Sequence, residues 1–250
     1  MNQFSKKYVL SVAGFDPSGG AGILADIKTF EAMNVYGLGV VSAITAQNDD
    51  TFQSLRWTPV LVIKEQIRIL FDKYPIDYVK MGIIQGLDVL LEIIRFLKSL
   101  NSSIRIIWDP LWKATAGFEF HRVITGKQLS GILREVYLIT PNIEEAAALF
   151  PGRRFTEQFK APCSILITGY RKDDNSVIDL LHTKEEVLEI DGETFEGLSK
   201  HGTGCVLSSA ITSGLATGIS LQDSCREAKK YVAKFIQSND SNLGYHQYGK

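Results

Sequence analysis

Short apolar runs of buried-strand type alternate with helical stripes along almost the whole chain, and that alternation leaves few folds open. Tyr8–Ala13, Gly39–Ala46, Tyr78–Met81, Ile104–Trp108, Tyr137–Ile139 and Ser164–Ile167 read as strands. Between them, Ile23, Ile27, Phe30 and Met33 recur at helical spacing, as do Leu87, Leu90, Leu91, Ile94 and Leu97. Further helices are expected over Val62–Phe71, Gly126–Glu135, the stretch after Asn142, the stretch after Cys205 and Leu221–Phe235. Leu55–Pro59 reads as a short extra strand, and Val177–Leu181 with Val187–Ile190 as a hairpin. Continuous apolar strands need helices on both faces, so the fold class is α/β: a mainly parallel central sheet, helices on each side and a small β-hairpin or flap. No repeat or linker interrupts the pattern, and residues 1–250 are expected to form one domain, with the polar residues after Asn239 as a loose or partner-docked tail.

Composition removes several function classes. A formal net charge of -1 gives no reason to expect nucleic acid or an anionic membrane as partner. No apolar run is long enough to span a bilayer, and Met1–Lys7 lacks a signal-peptide core. Cys163, Cys205 and Cys225 are scattered and odd in number, fitting neither a disulfide framework nor a zinc cluster. A reducing cytoplasm is the expected compartment.

In parallel sheets, ligands bind beyond the carboxyl ends of the strands. The polar clusters of this chain fall there: Gly14–Gly22, Gln47-Asn48, Gly82, Asp109, Asn142–Glu145, Thr168-Gly169 and Gly202–Cys205. The last of these, Gly202-Thr203-Gly204-Cys205, reads as a tight loop opening a helix, where bare N–H groups and the helix dipole hold an anion. Cys205 falls in the first turn, where the dipole favours a thiolate. The plainer reading is a glycine turn with a small core cysteine. His201 lies four residues before Cys205, but its plainer reading is an exposed histidine just outside a helix, and no orienting third residue is evident, so a cysteine hydrolase ranks low.

The Gly14–Gly22 loop lacks the Gly-Lys-[Ser/Thr] of a Walker motif, and its Gly20-Ala21-Gly22 lies too far past the strand for a dinucleotide fingerprint. A cradle for a small polar substrate suits it better. Asp16 there is explained by turn chemistry, and Asp26 by the start of a helix. Gln47 both donates and accepts, which suits a nitrogen heteroaromatic ring. Asp109 and Glu145 are the acids placed near magnesium, which takes one or two carboxylates together with water and phosphates. Glu144 and Glu145 would also stabilise their own helix start.

These blocks, in order, resemble one family. Ala13-Gly14-Phe15-Asp16-Pro17-Ser18-Gly19-Gly20-Ala21-Gly22 with Ala25–Phe30, then Thr45-Ala46-Gln47-Asn48, Thr140–Ala146 and His201–Cys205, are similar to the signatures of hydroxymethylpyrimidine/phosphomethylpyrimidine kinases. The resemblance implies a ribokinase-like fold, ATP with Mg2+, an aminopyrimidine alcohol as substrate, thiamine biosynthesis and a homodimer. It makes Cys205 the base at the hydroxymethyl group and the backbone of Gly202, Thr203 and Gly204 the anion hole. Gly14, Asp26, Gln47, Ile83 and Leu111 would hold the pyrimidine. Asp109, Asn142, Glu145, Thr168, Gly169 and Lys229 would hold the nucleotide, with Asp109 and Glu145 organising the metal.

The chain departs from the family in three places. Thr168-Gly169-Tyr170 stands where Lys-Gly-Gly is usual, Leu111-Trp112-Lys113-Ala114-Thr115-Ala116-Gly117 alters the flap sequence, and Pro151–Cys163 is short. The departures bear on phosphorylation of the monophosphate more than on that of the alcohol. A pyridoxal or pyridoxine kinase and a non-catalytic pyrimidine binder stand as alternatives.

Overall fold

The computed structural model describes residues 7–111, 126–192 and 199–246. The first half comprises β1 (Tyr8–Phe15), α1 (Gly22–Ala32), β2 (Tyr36–Gln47), β3 (Phe52–Trp57), α2 (Val60–Phe71), β4 (Ile76–Met81), α3 (Gly86–Leu100) and β5 (Arg105–Trp108). It is followed by α4 (Gly126–Leu133), β6 (Leu138–Ile139), α5 (Ile143–Leu149), β7 (Ser164–Arg171), β8 (Val177–His182), β9 (Val187–Ile190), α6 (Thr203–Ala216) and α7 (Leu221–Ile236). The strands form one sheet in the order β3-β2-β1-β4-β5-β6-β7-β8-β9. From β2 to β7 neighbours run parallel, and the antiparallel strands lie at the edges: β3 on one side, β8 and β9 on the other.

Alternation along each strand divides the core between the two faces. Ile106 joins the layer packed by Ile67 of α2, Ile93 of α3, Ile132 of α4 and Leu149 of α5. Its neighbour Ile107 joins the opposite layer, with Ala25 of α1, Val206 of α6 and Ala228 of α7. Each such aliphatic side chain withdrawn from water contributes about 1.5–3 kcal/mol. The helical stripes predicted in α3 and α7 face these layers, and Phe30 and Ile27 of the α1 stripe pack with Val9, Val35 and Ala216 in a smaller cluster. No helix among the described residues is long and apolar enough to cross a membrane.

The boundaries differ where tertiary pairing outweighs local pattern. β2 starts at Tyr36, ahead of the expected Gly39, because glycines there let α1 close on the strand: a Cβ on Gly39 would lie 2.8 Å from Ile23 Cδ1. β7 runs past Ile167 to Arg171 because Tyr170 pairs with Ile178 of β8. β3 spans Phe52–Trp57, earlier than expected, since its register on β2 sets Phe52 opposite Gln47. Trp112, Lys113 and the rest of the altered flap sequence lie outside the described residues.

β1 pairs with β2 on one side and β4 on the other, so the sheet grows in opposite directions from it. At such a switch point the loops beyond the strand ends splay apart and leave a crevice.

Candidate active site

The first turn of α6 forms one wall of that crevice. Gly202 precedes it with φ 80°, a left-handed conformation that favours glycine. A side chain there would strike Gly20 O and sit 2.8 Å from Ala21 Cα, so the two glycine loops close directly on each other. The leading N–H groups of a helix have no intrahelical acceptor, and with the dipole they make an anion site. Cys205 lies in this turn, and the Gly22 amide donates to its sulfur.

The expected thiolate is not what this setting favours. Burial pushes the Cys205 thiol up to about 12; Lys80 opposes that rise, while Asp109 and Asp26 add to it. Withdrawal from water outweighs the partial charge of one helix end.

The cleft has a volume of ≈ 390 Å³. Gly14, Gln47, Ile83, Leu111, Asp109, Asn142, Glu145, Thr168, Gly202, Thr203, Gly204 and Cys205 all line it. Gly14 leaves a narrow slot, because a Cβ there would lie 2.5 Å from Ile83 Cδ1, and Ser42 Oγ fixes Ile83 by donating to its carbonyl at 2.6 Å. Asn142 caps α5 by accepting from the Glu145 amide at 2.8 Å, and Glu145 Oε2 accepts from the Asn142 amide at 2.9 Å. This reciprocal cap places the Glu145 carboxylate at the cleft wall.

Asp26, Gly169 and Lys229 are not among the lining residues. Asp26 is wholly buried and bonded to Ser11 Oγ, Ser209 Oγ and Lys80 Nζ. Its place is under the site, where it binds a cation and not a ring. Gly169 and Lys229 meet on a different carboxylate: Asp179 Oδ1 accepts from the Gly169 amide at 3.0 Å and lies 2.7 Å from Lys229 Nζ. Asp179 drew no attention within an apolar strand.

Two further groups line the cleft that the sequence did not single out for it. Lys80 lines the cleft although its side chain has no exposed surface. Burial alone would lower its pKa, but the Asp26 carboxylate bonded to it, helped by Asp109, holds the ammonium charged and pushes it up. The available signal was a lysine inside an otherwise buried strand. The other group is His201, which also lines the cleft and is 7% exposed, contrary to the plain surface histidine expected. Its Nε2 lies 2.8 Å from Asp16 Oδ2, and its Nδ1 is buried without a partner. Asp16 also accepts from the amides of Ser18 and Ala21, so one carboxylate shapes its own loop and ties it to the anion loop. Burial pushes Asp16 up, yet the bonds from His201 and Ser18 hold it below the usual carboxylate range.

Asp109, at the end of β5, accepts from Ser208 Oγ at 3.2 Å and lies 3.8 Å from Lys80 Nζ. Burial pushes its carboxyl up, against the pull of Lys80. Such a carboxyl gains from an arriving cation. With Glu145 it offers only oxygen donors, a set that fits a hard divalent ion bringing its own water and phosphate ligands. Among the described residues no cluster of three or more His, Cys, Asp or Glu forms a closed metal cage.

Residues 16–250 match the family model described as phosphomethylpyrimidine kinase. The chain belongs to the phosphomethylpyrimidine kinase family. It is 32% identical over 246 residues to the hydroxymethylpyrimidine/phosphomethylpyrimidine kinase of Aquifex aeolicus (strain VF5), covering 94% of this chain and 96% of that one. It is also 32% identical over 254 residues to the chloroplastic thiamine biosynthetic bifunctional enzyme TH1 of Arabidopsis thaliana, covering 94% of this chain and 48% of that enzyme. Among solved structures, the phosphomethylpyrimidine kinase of Clostridium difficile 630 superposes with a TM-score of 0.74 at 30% identity, covering 92% of this chain and 99% of that one. The Staphylococcus aureus pyridoxal kinase in complex with ADP superposes at 0.79 with 23% identity, covering 98% and 94%, a likeness of fold. The ribokinase-like architecture expected of the family is the one this chain adopts.

Proposed function

We propose that the protein uses ATP to phosphorylate the hydroxymethyl group of hydroxymethylpyrimidine, with the monophosphate as a second acceptor, in thiamine biosynthesis. One observation carries the reading: the Gly202–Cys205 anion site shares a single cleft with Gln47, Asp109, Glu145 and the buried cation Lys80. Phosphoryl transfer needs positioning and charge stabilisation more than covalent chemistry, and this cleft supplies both.

The pyrimidine is assigned to the slot over Gly14 and Ile83, with the Gln47 amide reading ring nitrogen and amino group. Asp109 and Glu145 are assigned to the cation, and Asn142 and Thr168 to the nucleotide phosphates. Magnesium held there would supply positive charge against the phosphate oxygens. Lys80 opposes the rise in the Cys205 pKa and so favours the thiolate, the form that takes the hydroxyl proton. The amides of Gly202, Thr203 and Gly204 are assigned to the transferring phosphoryl group, and held in the loop they need not reorganise.

Three coarser expectations complete the reading. One sheet running through the described chain supports a single kinase domain over residues 1–250. Three free, buried cysteines are in keeping with a reducing cytoplasm. A homodimer is the expectation carried by the family resemblance, and exposed Ile44, Leu61 and Ile69 are apolar side chains available to it.

The test is a panel of purified protein with Mg-ATP and, separately, hydroxymethylpyrimidine, its monophosphate and pyridoxal. Phosphorylation of the pyrimidine alcohol ahead of pyridoxal is expected. Turnover of pyridoxal alone moves the assignment to a vitamin B6 kinase, and tight pyrimidine binding without ATP cleavage moves it to a binding protein.

A further inference from the structure

The loop that carries Gly202 is held from outside by the chain's own C-terminal segment. The polar residues after Asn239 were expected to be loose or docked on a partner. Instead, residues 238–246 turn back across the start of α6. Lys200 is buried, and its Nζ donates to Asn239 O at 2.5 Å, to Asn239 Oδ1 at 3.2 Å and to Ser241 O. The next residue, His201, donates its backbone N–H to Asn242 O at 2.9 Å. Leu243 presses on the other glycine loop, where a Cβ on Gly20 would lie 2.6 Å from Leu243 Cδ2.

The segment is itself fixed at several points. Asn239 Nδ2 donates to Leu243 O at 2.9 Å, and Asn239 Oδ1 accepts from the Ser241 amide at 2.8 Å. Asn242 Nδ2 donates to Asp50 Oδ1 at 2.8 Å, and His246 Nδ1 lies 2.9 Å from Tyr231 Oη on α7. None of these segment residues lines the cleft. Their hydrogen bond to a cleft-lining residue is the one that Asn242 O accepts from the His201 amide, and Lys200 and Gly20 carry the neighbouring contacts.

We propose that residues 238–246 are a strap that sets the position of the anion-binding loop, with Lys200 as the positioning residue that clasps it. The inference rests on the kinase reading of the cleft. An ammonium among three carbonyl oxygens is satisfied. Replaced by an apolar side chain, it leaves the backbone carbonyls of Asn239 and Ser241 without that donor, and Asn239 Oδ1 with the Ser241 amide and hydroxyl alone. The strap then relaxes, and the amides of Thr203 and Gly204 move with His201. Anion-hole donors lose their effect when displaced by about an ångström.

The experiment compares wild type, Lys200→Met and a chain ending at Ser238. Its readouts are kcat and KM with Mg-ATP and hydroxymethylpyrimidine, and amide hydrogen exchange at His201. For both variants kcat is expected to fall roughly 10- to 100-fold, with KM for the alcohol little changed. Added ammonium ions are expected to restore part of kcat to Lys200→Met, whose segment still carries the three oxygens that a cation can regather, and none to the shortened chain. A merely structural lysine gives no such difference. The His201 amide is expected to be protected in wild type and to exchange freely in the shortened chain. Unaltered kcat in both variants overturns the strap, as does a His201 amide that exchanges equally fast in wild type and shortened chain. Should Lys200→Met fail to fold, Asn239→Ala removes one acceptor and the tie to Leu243; it is expected to lower kcat at constant KM, and an unchanged kcat counts against the proposal. If wild type phosphorylates no pyrimidine, the kinase reading fails, while exchange at His201 still decides the strap.

Discussion

Asp26 Oδ1 lies 2.9 Å from Lys80 Nζ, and neither side chain retains any surface for water. The pair joins α1 to β4 directly beneath the cleft, with Ser11 and Ser209 hydroxyls bonded to the same carboxylate. Removing one partner strands the other charge in the core. Asp26→Ala is therefore expected to lower stability by about 3–5 kcal/mol, read from urea unfolding. The double variant Asp26→Leu/Lys80→Met should regain much of that stability without regaining kcat, because Lys80 lines the cleft. Full activity in the double variant would remove Lys80 from the chemistry.

Cys205→Ser keeps the volume of the first turn of α6 nearly constant and replaces the sulfur. Proton transfer by a positioned group is typically worth about 10²–10⁴-fold, so kcat should fall by that order with KM little changed. A kcat close to wild type would leave Cys205 as a packing residue.

Gly202 and Gly204 flank Thr203 yet should respond differently to alanine. At Gly202 a Cβ collides with the Gly20 backbone in a left-handed conformation, whereas at Gly204 no atom lies within 4 Å. Gly202→Ala is expected to lower both Tm and kcat, the latter by about 10²-fold through displaced donors. Gly204→Ala should leave Tm unchanged, and any loss there should appear only in turnover. Thermal melts and steady-state kinetics on the two variants separate the cases.

Alkaline pH should unfold this protein more readily than its charge suggests. Burial pushes the thiols of Cys163, Cys205 and Cys225 from 9.0 up to about 12. For each, the folded pKa exceeds the unfolded one, so the stability it contributes is complete below about pH 9 and declines as pH rises towards 12. Each thiol should cost about 1.4 kcal/mol per pH unit within that window. Tm measured against pH should fall steeply there, and more gently in Cys225→Ala. An identical slope in that variant would refute the assignment.

On the acid side the sign reverses. Burial, helped by Lys28, lowers the His246 imidazole to about 4. The contribution of the neutral ring is present above its ordinary pKa near 6.5 and is lost as pH falls towards 4. His246 anchors the strap through Tyr231 and packs tilted against the Phe235 ring, with centroids 4.9 Å apart. Amide exchange in residues 238–246 should therefore accelerate between these pH values, before the sheet opens. Uniform protection across that range would show that the ring does not hold the segment.

Much of this was legible in the chain. Apolar runs of β1, β4 and β5 could be buried only in a parallel sheet, and the stripes of α1, α3 and α7 required helices over it. The glycines of residues 14–22 and 202–204 marked loops where backbone approaches backbone. Less legible was any residue whose role depends on what lies across the fold. Asp26 read as a helix-start charge, His201 as a surface histidine and Asp179 as an ordinary strand residue. Their partners Lys80, Asp16 and Lys229 are distant in sequence.

The sequence by itself determined the layer architecture, the strand ends where the polar clusters gather and the loop that opens α6, because these follow from local spacing and backbone freedom. Only the tertiary structure decided the charge state of Cys205, since burial, and not helix position, controls the cost of a thiolate. Only it could decide that the polar C-terminal segment clasps Lys200, because hydrogen bonds between residues forty apart leave no local pattern.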